Sequence, residues 1–272
     1  MLKTMYITND PKVALIAQKY GVDRIWIDLE TLGKEERQKN MNTVKSKHTI
    51  EDIKKLRPFL KKSELLVRVN PININSQREI DAVIKNGADI IMLPMWKTLE
   101  EVKKFLEYVD GRVKTTLLLE TKEGVEILEE ILSMKAVDEI HIGLNDLHLS
   151  YGMKFMFEPL ANGIVEEICN KIRKFNIPYG FGGVAQIGEG LLPAENIILE
   201  HYRLGSTRVI LSRSFCNTEM LKNIDEIERI FSTNICKMKE FEKKISGIEE
   251  QRFIENKLKT ENMIKEIVKS RR

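Results

Sequence analysis

The chain has 272 residues, 42% hydrophobic and 31% charged, a balance that excludes a disordered chain and leaves room for one large α/β domain or two small ones. Its 44 basic and 41 acidic side chains leave a net charge of +3 and are mixed along most of the sequence, so no footprint for nucleic acid is present. No run approaches the roughly 18 apolar residues of a membrane helix, and the opening MLKTMYITND lacks the apolar core of a signal peptide, so a cytoplasmic protein with no membrane partner is expected.

Short runs rich in β-branched and apolar residues alternate with amphipathic segments, the pattern of a parallel sheet built from βα units. In chain order, strands are expected at Lys3 to Thr8, Arg24 to Glu30, Leu65 to Asn70, Ile90 to Met95, Thr115 to Thr121, Glu139 to Asp146, Tyr179 to Ala185 and Thr207 to Phe215. Between them lie helical patterns such as Glu100 to Tyr108, Gly124 to Ser133 and Asn162 to Phe175, and GADIIMLP carries a glycine of the kind that closes a helix before a strand. Eight such units predict a (β/α)8 TIM barrel over residues 1–217, within the range from about 200 residues upward that such barrels span.

Two segments fall outside the alternation. Thr31 to His48 is a polar stretch after the second strand, long for a βα loop, and reads either as a lid over the active face or as a solvated excursion with a short helix. Residues 218–272 form a highly charged helical extension in which Ile235, Met238, Phe241, Ile245 and Ile248 are spaced along one helix face. This face is expected to pack on a partner subunit in a homo-oligomer; the alternative is a terminal helix that caps its own barrel. The three cysteines, Cys169, Cys216 and Cys236, have neither disulfide-framework nor zinc-ligand spacing, which fits a reducing compartment.

A barrel gathers the C-terminal ends of its strands around one mouth, where polar residues are not serving the core. Four candidates end mostly apolar runs: Glu30 in IWIDLE, Arg68 in LLVRVN, Glu120 in LLLET and Asp146 in IHIGLND. Two carboxylates from adjacent strand ends, Glu120 and Asp146, with Arg68 nearby, suit a hard divalent cation, Mg²⁺ or Mn²⁺, together with an anionic substrate. An α-keto acid would chelate such an ion, and the enolate left when a carbon–carbon bond breaks would be stabilised by the ion and by Arg68. Spacing leaves two other readings open. The charged ends are solvated or joined in salt bridges, or two carboxylates act as acid and base on a glycosidic bond, which the two tryptophans supply few aromatic platforms to support.

The set VDRIWIDLE, LLVRVNPIN, GADIIMLPM, LLLETKEG and VDEIHIGLNDLHLSYG, in this order and spacing, resembles the HpcH/HpaI aldolase and citrate-lyase β-subunit family over roughly Val22 to Phe215. Each motif is short, and the ordered set is what is specific. The resemblance implies a (β/α)8 barrel whose last helix is exchanged between subunits, and a divalent-metal lyase acting on a hydroxy-oxo acid or a hydroxyacyl thioester. It maps the metal ligands to Glu120 and Asp146 and the substrate-binding arginine to Arg68, with the backbone amides of Asn145 and Asp146 seating a substrate carboxylate. Asp28 and Glu30 are expected to orient metal waters or Arg68 from behind.

The sequence departs from the family at Thr31, where the pyruvate aldolases carry a histidine that moves protons and the citrate-lyase branch tends to an aspartate. His48 would return a base if the Thr31 to His48 segment folds over the mouth; the alternative is a solvent-exposed loop histidine. His148 stands where the family more often has serine, either touching substrate or capping its loop. His141 is expected in the core, and His201 has no assigned role. GFGGVA, Gly180 to Ala185, reads as a phosphate seat after the seventh strand or as close packing at the rim. Lys34, Arg37, Lys45 and Lys47 would steer an acidic substrate or form a solvated face. The expected activity is a metal-dependent carbon–carbon lyase using a small oxo acid. Other pyruvate or phosphoenolpyruvate chemistry, or a non-catalytic metal and oxo-acid binder, are the alternatives.

Overall fold

The computed structural model describes residues 1–33, 47–134 and 136–271. Eight parallel strands close into a barrel in sequence order: β1 (Lys3–Ile7), β2 (Arg24–Asp28), β3 (Glu64–Arg68), β4 (Ile90–Leu93), β5 (Lys114–Leu119), β6 (Glu139–Ile142), β7 (Tyr179–Val184) and β8 (Arg208–Leu211). Parallel neighbours need crossovers, which helices supply. These are α1 (Pro11–Tyr20), α2 (Ile50–Leu56), α3 (Ser76–Lys85), α4 (Leu99–Val109), α5 (Lys122–Glu126), α6 (Leu128–Leu132), α7 (Leu144–Ser150), α8 (Glu158–Ala161), α9 (Ile164–Arg173) and α10 (Ala194–Arg203). Two longer helices follow, α11 (Ile224–Ile245) and α12 (Glu250–Ser270). Among the described residues, no helix is long and apolar enough to cross a membrane.

Local chemistry sets the helix ends. Asp10 caps α1 by accepting from the Lys12 N–H at 2.8 Å, with Pro11 in the first turn, and Thr98 with Glu101 forms a capping box at α4. Gly87, the glycine of GADIIMLP, follows α3 with φ of 98°, a left-handed turn where a Cβ would also strike the Arg57 side chain. The helix expected over Gly124 to Ser133 begins earlier, because the Thr121 hydroxyl caps it at the Gly124 N–H, and it breaks at Ile127, whose ψ of 8° leaves the helical range.

Strand alternation builds two cores. Outward residues such as Ile25, Ile27, Leu65, Val67, Ile91 and Leu93 pack under the helices. Inward residues form layers down the barrel axis. At the start of the strands, buried Arg24 (β2) donates to both oxygens of Glu139 (β6) at 2.6 and 2.7 Å, and Arg208 (β8) adds a bond at 2.8 Å. Above this ionic plug, Met5, Trp26, Leu66, Ile90, Met92 and Leu118 fill the middle. The next inward positions are Asp28, Arg68, Glu120 and Gly143.

The sixth expected strand ends four residues early. Glu139 to Asp146 does not continue as a strand: β6 stops at Ile142, and Gly143 opens α7, which carries Asn145 and Asp146 in its first turn. Leu144 and Leu147 are buried three residues apart, a helical spacing, and Asp146 at a helix N-terminus is favoured by the backbone dipole. The last strand likewise ends at Leu211, ahead of Phe215.

After β8, α11 takes the eighth-helix place and packs on α1. Its Phe231 meets Tyr6 and Phe215 edge to face, with centroids 5.0 and 5.5 Å apart. Ile235, Met238 and Ile245 are buried in the single chain, so the apolar face expected to meet a partner subunit lies against the chain's own barrel. Helix α12 turns back across α10 and α8, tied by a buried amide network in which Asn196 donates to Asn256 at 2.8 Å and Asn256 donates to Glu200 at 2.9 Å.

Candidate active site

A cavity of about 920 Å³ opens at the C-terminal ends of the strands, lined by Asp28, His48, Arg68, Glu120, Asn145 and Asp146 among others. It is far larger than a small oxo acid needs. Five of these six are candidates from the sequence for direct roles, and Asp28 supports one of them.

Arg68 is fixed by two acids. Its Nε and Nη2 donate to the two oxygens of Asp28, both at 2.8 Å, and Nη1 pairs with Glu30 at 3.2 Å. The guanidinium also stands over the Trp26 ring, 5.2 Å from its centroid. Asp28 and Glu30 are each only 2% exposed. Burial works against the Arg68 charge, but Asp28 and Glu30 outweigh it and raise the pKa further. A planar fork gripped along one edge keeps N–H donors on both terminal nitrogens for a second anion.

Glu120 follows β5 and is 3% exposed. Its Oε1 accepts the Met95 N–H at 3.0 Å. Met95 adopts φ of 54°, a left-handed conformation that costs a non-glycine residue of order 1–3 kcal/mol and here turns the amide toward the carboxylate. Burial, then the charges of Asp146 and Glu30, push the Glu120 pKa well above the ordinary carboxylate range, against Arg68 and the Met95 amide. Glu120 therefore feels the charge of Asp146. Gly143 makes room for this: a Cβ there would lie 2.9 Å from Glu120 Oε2. The amides of Asn145 and Asp146 lie in the first turn of α7, ahead of its first intrahelical bond, from the Leu147 N–H to Gly143.

His48 lines the cavity, and its Nδ1 accepts the Asp28 N–H at 3.1 Å. Nε2 is thus the nitrogen that carries the N–H in the neutral ring, and most of the segment through which His48 would act as a base lies outside the described residues. Thr31 faces elsewhere: its N–H and hydroxyl both donate to Asn70 Oδ1, at 2.9 and 3.3 Å. Lys47 lines the cavity, whereas Lys34, Arg37 and Lys45, and with them most of the segment read as a lid, lie outside the described residues.

His148 and His201 are engaged away from the substrate candidates. His148 is buried, its Nδ1 bonded to the Leu144 carbonyl at 3.2 Å within α7. His201 stacks on Phe181 at 3.8 Å and bonds Ser206. GFGGVA packs closely at the rim, since a Cβ on Gly180 would sit 2.2 Å from the Arg208 carbonyl and one on Gly182 would strike Leu144. Sequence reasoning missed the Met95 amide and the space at Gly143, which are backbone properties, and also Ser212 and Arg213, which line the cavity just after β8.

The HpcH/HpaI aldolase/citrate lyase family model matches residues 4–161. No curated protein sequence matches the chain significantly. Among solved structures, an HpcH/HpaI aldolase from Desulfitobacterium hafniense is 15% identical with a TM-score of 0.59, covering 84% of this chain and 93% of that one. A family protein from Burkholderia cenocepacia is 13% identical with a TM-score of 0.60, covering 83% and 94%. Macrophomate synthase is 15% identical with a TM-score of 0.57, covering 91% and 86%. At these identities the structures establish the shared barrel alone.

Proposed function

The chain belongs to the HpcH/HpaI aldolase/citrate lyase family, a family of carbon–carbon lyases, and from that premise we propose a divalent-metal-dependent lyase that makes or breaks a hydroxy-oxo acid or a hydroxyacyl thioester. The observation that carries this reading is the convergence, in one cavity, of an arginine locked by Asp28 and Glu30 with two carboxylates, Glu120 and Asp146, that repel each other.

Glu120 and Asp146 fit Mg²⁺ or Mn²⁺, because their donors are hard oxygens and a cation between them relieves the repulsion and burial that raise the Glu120 pKa. Among the described residues no group of three or more His, Cys, Asp or Glu is arranged to hold a metal, so the remaining positions would fall to water and substrate oxygens. When bound, the ion supplies Lewis-acid stabilisation of the charge that develops on the substrate as the carbon–carbon bond breaks.

The protein's own groups do the rest. Arg68, immobilised before substrate arrives, offers its outer N–H groups to the oxo acid and needs no reorganisation as charge grows. Asn145 and Asp146 line the same cavity from the first turn of α7, where amides without intrahelical partners suit a substrate carboxylate. His48, with Nδ1 accepting the Asp28 N–H, presents its Nε2 N–H as a hydrogen-bond donor suited to a substrate oxygen in the cavity. The substrate is a small oxo acid or its thioester counterpart, and the working form is a homo-oligomer.

The test is Mn²⁺ binding followed by electron paramagnetic resonance, together with exchange of the pyruvate methyl protons with deuterated water. Wild-type protein should bind the ion and catalyse exchange; Glu120→Gln should lose both, and Arg68→Ala should keep the ion and lose exchange. Ion binding without exchange in the wild type would leave a non-catalytic oxo-acid binder, and exchange unaffected by Glu120→Gln would remove the site from its place.

A further inference from the structure

The inward positions along β6 and just past its end are Glu139, His141 and Gly143, and the middle one has no part in the site described above. His141 is 1% exposed, and neither ring nitrogen makes a hydrogen bond of ordinary geometry among the described residues, with the Gly182 carbonyl interacting only loosely on one side; the ring also lines the large cavity. Native proteins rarely leave buried polar atoms in this state unless something else satisfies them. Trp26, on the inner wall at β2, repeats the pattern: its indole N–H is buried, lacks an acceptor among the described residues, and belongs to the lining of the same cavity. The floor beneath the candidate metal site thus holds an imidazole and an indole donor among otherwise apolar neighbours.

We propose that His141 is a specificity-determining residue that accepts a hydrogen bond from the hydroxyl of the hydroxy acid, with the Trp26 N–H donating to the same oxygen. This deepens the lyase reading above and rests on it. A hydroxyl is the group that needs one donor and one acceptor. The ring supplies the acceptor because the Gly182 carbonyl lies on one side of it and draws the ring proton there, leaving the lone pair of the other nitrogen for a ligand. Burial, with Arg24 and Arg208 below, keeps the imidazole neutral, its pKa near 4, so it can accept a hydrogen bond at physiological pH without taking the proton.

The reach is right for such a contact. Two residues of strand separate His141 from Gly143, about 7 Å, and the Cβ position of Gly143 is 2.9 Å from Glu120 Oε2. A 2-oxo acid chelated at Glu120 and Asp146 places a C4 hydroxyl four bonds from its C2 oxygen, and a hydrogen bond of about 2.8 Å spans the remaining gap. The position of His141 therefore favours acids hydroxylated at C4, the bond pattern that retro-aldol cleavage requires.

Two acids that cannot undergo retro-aldol cleavage, 2,4-dihydroxypentanoate and 2-hydroxypentanoate, differ only in that hydroxyl. Calorimetry with the Mg²⁺-loaded full chain should show the dihydroxy acid bound roughly 10-fold more tightly, equivalent to about 1.4 kcal/mol. His141→Phe should abolish the preference while leaving 2-hydroxypentanoate affinity unchanged, and His141→Gln, which restores an acceptor, should recover part of it. In wild-type protein labelled at its four histidines, nitrogen resonances of His141 should move with the dihydroxy acid and stay in place with the other. Equal affinities in the wild type, a preference that survives in His141→Phe, or unmoved His141 resonances would each overturn the proposal and leave the lyase reading standing. If neither acid binds, the lyase reading falls and this proposal with it.

Discussion

Replacing Glu139 with glutamine removes one charge from the closed end of the barrel and should cost about 3 kcal/mol. The carboxylate is 4% exposed and accepts three bonds from Arg24 and Arg208 at 2.6 to 2.8 Å. Burial alone would raise its pKa, but the bonds from Arg24 and Arg208 hold it down at about 2, against an ordinary 4.5. At about 1.4 kcal/mol per pH unit, this difference stabilises the ionised, folded state by about 3 kcal/mol. Glutamine keeps one acceptor but turns an amide donor toward two guanidinium groups, leaving buried charge unpaired. With an unfolding entropy of about 2.1 cal/mol/K per residue, the melting temperature should fall by about 5 °C. Because the folded-state pKa is depressed, the contribution is complete above about pH 4.5 and is lost as pH falls toward 2. The gap between variant and wild type in thermal melts should therefore be full at pH 7 and narrow at pH 3. Glu139 lies at the opposite end of the barrel from the cavity, so kcat/KM at 25 °C should be unchanged. A gap below about 1 kcal/mol at pH 7, or one as large at pH 3 as at pH 7, would refute the reasoning.

Gly143→Ala brings a methyl group 2.9 Å from Glu120 Oε2 and 3.0 Å from its Cβ, so the carboxylate must shift. Mn²⁺ affinity by paramagnetic resonance should fall at least about 10-fold, and retained affinity would show that Glu120 is not a ligand. Asp28→Asn leaves Arg68 with one charged partner instead of two, and KM for the oxo acid should rise roughly 10-fold in steady-state kinetics, whereas an unchanged KM would make the Asp28 grip irrelevant to binding. Because the Glu120 pKa is raised, a proton competes with the metal above the usual carboxylate range. Mn²⁺ affinity should climb with pH through that interval and binding should release a proton in calorimetry performed in buffers of different ionisation enthalpy. An affinity flat from pH 5 to 8 would contradict it.

The barrel was legible because each βα unit writes its own signal in the chain: apolar runs such as IWIDL and LLVRV, and helices with polar caps such as Asp10 and Thr98. Strand ends were not, since a strand stops where its neighbour's pairing stops. Asp146 shows the consequence: a run that continued smoothly in hydrophobicity past Gly143 belonged to a helix, and its carboxylate reaches the cavity from a first turn instead of a strand. Arg68 and Glu120 could be singled out as polar residues closing apolar runs. The Met95 amide could not, because its role depends on a backbone angle, and His48 could be placed near the mouth by segment length but not given a tautomer. The face of Ile235, Met238 and Ile245 was visible as apolar, yet periodicity alone does not say which surface covers it.

The inward alternation of β2 and β6 carries a consequence for how stability and chemistry share one barrel. Reading up β2, Arg24, Trp26 and Asp28 pass from plug to apolar middle to cavity; reading up β6, Glu139, His141 and Gly143 do the same. At the bottom, Arg24 and Arg208 converge on the two oxygens of Glu139 and close that end of the barrel. At the top, Glu120 is held ionisable against burial and against Asp146, while Arg68 is already held by Asp28 and Glu30. An arrangement so unfavourable to an ionised Glu120 persists because Met95 and Arg68 partly offset it and the surrounding barrel is rigid. The same unfavourable interaction is what a divalent cation would relieve on binding. On the proposed metal-lyase reading, the carboxylate pair would hold affinity for a cation in the fold itself, and removing the Glu120 charge should stabilise the metal-free protein while abolishing Mn²⁺ binding.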